Sequence, residues 1–290
     1  MRLILLTLLT LLAFAGNSVL CRMALTTTSI DAASFTTVRL LTGALMLSAL
    51  VWLRTVRGGA GNTEAGRAPG IGGNWPSALA LFAYAAALSF SYGDLSTGTG
   101  ALLLFGAVQA SMIFTGLWVG ERPTRLQGIG QLMAIVGLIV ILLPGLTAPP
   151  LRSAVLMLGS GVAWAVYTLR GRRVTDPTGD TAGNFVRAAV LSVTLSLLLI
   201  KQLRIDQWGM TYAMLSGAVT SGLGYALWYS VLPSLTVARA ASIQLSVPML
   251  ATLAGALLLH EAITLRLLVA SVAILGGIAL VVINRLTKAA

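Results

Sequence analysis

The chain has 290 residues, of which 57% are apolar and only 9% charged, with a mean hydropathy of +0.91. A soluble domain carries about a quarter charged residues, so a pair of water-covered globules is excluded and most of the chain must face lipid or other helices. The 19 basic and 8 acidic residues leave a net charge of +11, yet the basic residues lie between long uncharged runs, which marks them as loop charges rather than a nucleic-acid-binding stripe.

A helix crosses a hydrocarbon core of about 30 Å with about 20 apolar residues, and the chain holds ten such stretches. They run Leu3 to Cys21, Ala33 to Leu53, Trp75 to Tyr92, Gly98 to Val119 and Leu126 to Leu143 in the first half. In the second half they run Ser153 to Leu169, Thr181 to Ile200, Trp208 to Leu232, Val237 to Leu259 and Leu267 to Ile283. The breaks carry turn chemistry, as in Glu121-Arg122-Pro123, Pro149-Pro150, Asp176-Pro177 and Pro233-Ser234. Only the stretch from Arg54 to Asn74 is long enough to be a flexible loop. The first span also fits a signal peptide, since Arg2 precedes an apolar run and Ala13-Phe14-Ala15 satisfies the small-x-small cleavage rule. The repeat described next requires that span to be retained. The single cysteine, Cys21, leaves no disulfide or cysteine-based metal site.

Sliding the chain on itself by 140 positions lays Ala101 to Leu143 over Ala241 to Ile283. Gly120-Glu121 then meets His260-Glu261, Thr124 meets Thr264 and Gly137 meets Gly277. The earlier spans match at a shift of 148 to 150, which brings Arg39 onto Arg187. The halves, 1–145 and 151–290, thus read as two repeats of five spans each. Five is odd, so the second half starts on the opposite side of the membrane and the repeat is inverted. Inverted repeats are characteristic of secondary transporters, because exchanging the conformations of the two halves converts an inward-open cavity into an outward-open one. With the N-terminus inside, 11 Lys and Arg residues fall on the cytoplasmic side and 5 on the other, so both termini are expected in the cytoplasm.

These residues resemble a known family. Gly120-Glu121-Arg122-Pro123 after the fourth span, His260-Glu261-Ala262-Ile263-Thr264 after the ninth and the Gly-rich fifth and tenth spans look like the EamA-type half of the drug/metabolite transporter superfamily. So do Gly16-Asn17, Arg22, Phe35 and Arg39. The resemblance covers essentially the whole chain and is nearest to the bacterial YddG-type exporters of amino acids, aromatic ones included. It implies an all-α inner-membrane protein, monomeric or homodimeric, that exports small amphipathic metabolites without a cofactor. Two departures are Ala32 or Ala33 where a proline often precedes the second span, and His260 in place of the second glycine.

No Gly-x-x-x-x-Gly-Lys-Ser/Thr phosphate loop occurs, which excludes direct use of ATP by that machinery. All eight acids fall in predicted loops or at span ends, which argues against a proton relay through a mid-membrane carboxylate. An intramembrane lipid- or isoprenoid-phosphate enzyme is the competing class. It needs a cluster of His, Asp or Arg, whereas His260 is the only histidine, beside Glu261, and neither an H-E-x-x-H pattern nor a serine–histidine pair is available.

Polar and aromatic residues within the spans are the candidates for substrate contact. Asn17 reads as a substrate ligand or an interhelical hydrogen bond. Gln109 reads as cavity lining, with Phe105 and Met112 on its face. Gln244 and Pro248 repeat that i, i+4 arrangement, and the proline frees a backbone carbonyl or simply kinks the helix. Tyr84, Trp164 and Tyr225 lie deepest among the aromatic residues and are read as cavity walls, whereas Trp228 and Tyr229 fit an interfacial belt better. Arg39 and Arg187 are expected to snorkel to headgroups, or more sharply to meet carboxylates at an entrance. Gly130 with Ala134 and Ala273 with Gly277 permit close helix approach, either between the halves or in a dimer.

Overall fold

The computed structural model describes residues 2–58, 70–118, 124–143, 148–171, 174–231, 243–244 and 246–287. The described chain is a bundle of helices. In the first half these are α1 (Arg2–Thr27), α2 (Ala32–Gly58), α3 (Trp75–Tyr92), α4 (Thr97–Trp118) and α5 (Arg125–Leu142). The second half has α6 (Leu151–Gly171), α7 (Pro177–Leu198), α8, α9 (Ser246–Leu259) and α10 (Leu265–Thr287). Helix α8 is composite: it starts as Gln207–Leu215, passes through a π-helical segment, Ser216–Leu223, and ends as Gly224–Val231. Five of the described helices, α1, α2, α5, α6 and α7, are long and apolar enough by length and composition to cross a membrane. The outward surface is apolar, with Leu45, Leu132, Leu257 and Val272 well exposed, as expected where lipid rather than water is the neighbour.

The helix starts use the breaks visible in the sequence. Asn74 caps α3 by accepting from the Ser77 N–H at 3.0 Å, and Thr124 and Gln127 form a reciprocal capping box on α5. Asp176, followed by Pro177, caps α7. Asp206 caps α8, and the Gly209 N–H that it accepts holds its carboxyl below the usual carboxylate range. Helix α9 ends at His260, whose φ of 54° is the left-handed conformation that glycine adopts without strain.

Helix α1 runs six residues beyond the expected end at Cys21. The Thr26 and Thr27 hydroxyls donate to the Arg22 and Met23 carbonyls at 2.7 Å, so polar residues complete the last turn internally. The motif Gly120-Glu121-Arg122-Pro123, together with Glu64, Pro233-Ser234 and Arg239, lies outside the described residues.

The helix contacts form matched sets. Helices α3 and α4 pack on α6, while α8 and α9 pack on α1. Helix α2 packs on α7 and on α8, as α7 packs on α3. Helix α5 lies along α10, where a Cβ placed on Gly130 would meet the Gly277 carbonyl, and one on Gly277 the Gly130 carbonyl. The small residues of these two helices therefore join the two halves of one chain.

Candidate functional site

Helices α1, α3, α4, α6 and α8 surround a small central cavity of about 30 Å³. Its polar wall is Asn17 and Ser18 of α1, Tyr84 of α3 and Thr220 and Ser221 of α8, with Gln244 ahead of α9. The apolar wall is Phe14, Leu88, Leu104, Phe105, Trp164 and Tyr225. A bound molecule therefore meets amides and hydroxyls as well as rings and leucines.

The polar wall is a connected network. Asn17 Nδ2 donates to the Tyr84 hydroxyl at 3.3 Å, and Ser216 Oγ donates to Asn17 Oδ1 at 2.8 Å. Arg39 Nη2 also donates to the Tyr84 hydroxyl, at 3.2 Å, and Arg39 Nε donates to Ser221 Oγ at 3.3 Å. Four helices, α1, α2, α3 and α8, thus converge on one phenol and one guanidinium. The π-helical segment supplies Ser216, Thr220 and Ser221; its wider turn re-aims side chains relative to a regular helix, a device common at functional sites. It can approach α2 because Gly217 sits against the Arg39 carbonyl and Thr42 Oγ1, where a Cβ would collide.

The aromatic wall is a stack. Trp164 lies between Tyr84, at 4.8 Å between ring centroids, and Tyr225, at 5.3 Å. Phe14 and Phe185 meet Tyr225 edge-on at 5.9 and 5.8 Å. One turn before Trp164, Ser160 Oγ donates to the Tyr84 carbonyl at 2.9 Å, which sets the height of α6 against α3 and hence of indole against phenol.

Of the residues singled out in the sequence, Asn17, Tyr84, Trp164, Tyr225 and Gln244 line this one cavity. Gln109 does not. Gly106, Gln109 and Ala110 form a stripe that faces α5 and lines a second, apolar cavity with Ala134, Leu138 and Ile278, while Leu104 and Phe105 face the centre. Pro248 is buried within α9 and lies outside the lining. Trp228 is buried against Phe14, at 6.0 Å between ring centroids, instead of lying in an interfacial belt.

The two equivalent arginines depart from snorkelling in different ways. Arg39 is 1% exposed and sits behind the cavity wall. Arg187 Nη1 instead donates to the Gly72 and Gly183 carbonyls at 2.8 and 2.9 Å, tying the segment before α3 to α7. Sequence reasoning missed the junction of Arg39 with Tyr84 and Ser221. Its trace was the run Ser216-Gly217-Ala218-Val219-Thr220-Ser221-Gly222, too polar and too rich in small residues for a lipid-facing helix.

One further contact closes one end of the bundle. Arg22 Nε pairs with Glu261 Oε1 at 3.0 Å, while Arg22 Nη1 donates to the Tyr92 and Gly93 carbonyls at 2.8 Å. Glu261 Oε2 accepts from the Thr97 N–H at 2.7 Å. The end of α1, the α3–α4 turn and the α9–α10 connection are joined there. The described acids, Asp31, Asp94, Asp176, Asp180, Asp206 and Glu261, lie in connections or in the first turn of a helix.

Comparison with known proteins places this architecture. Residues 151–283 match the EamA-like transporter family. The chain is 54% identical over 289 residues to an uncharacterized protein, PA1977, of Pseudomonas aeruginosa, covering 100% of this chain and 97% of that one. It is 27% identical to an uncharacterized transporter of Archaeoglobus fulgidus over 66% of this chain and 70% of that one. It is 26% identical to the uncharacterized transporter YvbV of Bacillus subtilis over 58% of this chain and 57% of that one. A solved crystal structure superposes with a TM-score of 0.66 and 18% identity over 98% of both chains, a likeness of fold alone. Residues 151–283 thus carry an EamA-like transporter domain, a match that supports the drug/metabolite transporter superfamily, and the chain is a multi-span membrane transporter rather than an enzyme.

Proposed function

We propose that this transporter exports small amphipathic metabolites, amino acids including aromatic ones, across the bacterial inner membrane by alternating access. The observation that carries this reading is the central cavity, whose lining combines a cluster of aromatic rings with an amide–hydroxyl network and is drawn from both halves of the chain. The matched contacts between the halves, α3 and α4 on α6 against α8 and α9 on α1, support two inverted five-helix repeats, 1–145 and 151–290. In that scheme the Arg22–Glu261 pair is a closure that must open on one side as its counterpart forms on the other. Asn17, Tyr84, Trp164, Tyr225 and Gln244 are the proposed substrate contacts; Gln109 and Pro248 act at most from outside the cavity.

The placement of the described acids at helix ends favours transport down the substrate's own gradient. Proteoliposomes preloaded with unlabelled phenylalanine should accumulate labelled phenylalanine by counterflow, and accumulation should persist when a protonophore collapses the proton gradient. Strict dependence on an imposed pH gradient would show that a group such as Glu261 or His260 titrates in the cycle. Absence of counterflow with phenylalanine and the other aromatic amino acids would remove the substrate assignment.

Orientation is tested separately. The bias of 11 to 5 in Lys and Arg favours both termini in the cytoplasm. Reporter fusions at Asn62 and at Ala290 should both give the cytoplasmic signal; an external signal at either would overturn five spans per half.

A further inference from the structure

We propose that the transported molecule carries an anionic group, a carboxylate on a flat apolar body, which Arg39 and the Tyr84 hydroxyl hold at the polar wall of the cavity. The proposal rests on the transport reading above and adds the charge of the substrate. Arg39 lies seven residues after the first residue of α2, so its Cα is about 10 Å along the axis from the start of the helix. It is 1% exposed. A guanidinium has five N–H donors, and here they meet only neutral acceptors. Nε and Nη2 reach the Ser221 and Tyr84 hydroxyls, the Tyr84 ring centroid is 5.3 Å from Cζ, and Nη1 is buried without a partner. Among the described residues Arg22–Glu261 is the only ion pair, and every described acid lies in a connection or in the first turn of a helix. A cation buried at span depth opposite neutral groups is costly and marks a pathway or a ligand.

The direction of the hydrogen bonds identifies the ligand's sign. The Tyr84 oxygen accepts from both Asn17 Nδ2 and Arg39 Nη2, and the Ser221 oxygen accepts from Arg39 Nε. Neither hydroxyl has an acceptor for its own hydrogen among the described residues, and both hydroxyls line the cavity. The wall in front of Arg39 therefore offers two O–H donors backed by a positive charge. An anion satisfies both hydroxyls at once, with the charge of Arg39 behind them. The apolar part of the substrate follows from the rings of the same lining, where Trp164, stacked on Tyr225 and tilted against Tyr84, suits a planar apolar body. One guanidinium balances one negative charge, which fits a monocarboxylate.

The experiment uses a near-isosteric pair of probes, 3-phenylpropionate and 3-phenylpropionamide, with binding to the purified full-length protein read by calorimetry. The acid should bind about tenfold or more tightly than the amide, the scale of one charge-assisted contact. Arg39→Gln should remove that preference. Tyr84→Phe, which keeps Arg39 and the ring, should reduce acid binding while leaving amide binding within about twofold, and it serves if Arg39→Gln fails to fold. Equal binding of acid and amide, or a preference for the acid that survives Arg39→Gln and Tyr84→Phe, overturns the proposal and leaves the cavity as a site for neutral amphipathic molecules. Failure of both probes to bind the folded protein overturns the transport reading of the cavity and this proposal with it.

Discussion

Replacing Trp164 by alanine should weaken transport of bulky aromatic substrates far more than that of small ones. The indole lies between the Tyr84 and Tyr225 rings and forms part of the cavity surface, so its loss removes apolar wall that a flat aromatic body would touch. An aromatic contact contributes about 0.5–1.5 kcal/mol beyond its buried area, and with that area included the loss for an aromatic substrate is on the order of tenfold. A small aliphatic substrate has less apolar surface to lose there and should lose less than about twofold. The measurement is counterflow in proteoliposomes with phenylalanine and alanine as the matched substrates. A uniform fall in both, together with lower protein yield, would mean that Trp164 is structural and would remove it from the site.

The second large effect concerns the α5–α10 seam and contrasts two adjacent glycines. Gly276→Ala should be neutral or stabilising, because a Cβ there meets only the flexible end of Met133, at 3.8 Å. Alanine is also a better helix former than glycine by about 1 kcal/mol. Gly277→Ala should be destabilising despite the same propensity gain. Its Cβ would collide with the Gly130 carbonyl and lie 2.8 Å from the Ala134 nitrogen, both backbone atoms that cannot step aside. Overpacking of this kind costs about 2 kcal/mol, which for a chain of this size lowers the Tm by roughly 4–8 °C. Thermal unfolding followed by tryptophan fluorescence in detergent reads the difference directly. Equal Tm values for the two variants would show that the helices do not approach at Gly277.

How much of this was legible beforehand differs from element to element. The apolar runs and their caps were readable because lipid requires an internally bonded helix wherever the chain is apolar for long enough, and Asn74, Thr124, Asp176 and Asp206 announce the starts of four helices in their own side-chain chemistry. Individual cavity residues were readable because a polar or amphipathic side chain inside a span has to face protein: Asn17, Tyr84, Trp164, Tyr225 and Gln244 satisfy that rule. The rule does not say which protein interior is faced. Gln109 obeys it and still turns toward α5, since its stripe with Gly106 and Ala110 is aimed by the packing of α4 between two neighbours.

The sequence by itself determined the environment, the helical class and the resemblance to a transporter family, because composition, apolar run length and the paired Glu motif are local properties that survive without neighbours. Only the tertiary structure decided the fate of Arg39. Snorkelling is the default for an arginine near a helix end because its long stem can reach a headgroup. Here the π-helical segment of α8, admitted against α2 by Gly217, brings Ser221 to one side of the guanidinium while α3 brings Tyr84 to the other. Those partners lie 45 and 182 residues away in the chain. No local periodicity encodes such a meeting; it depends on helix crossing, register and close approach, which exist only once the halves have packed.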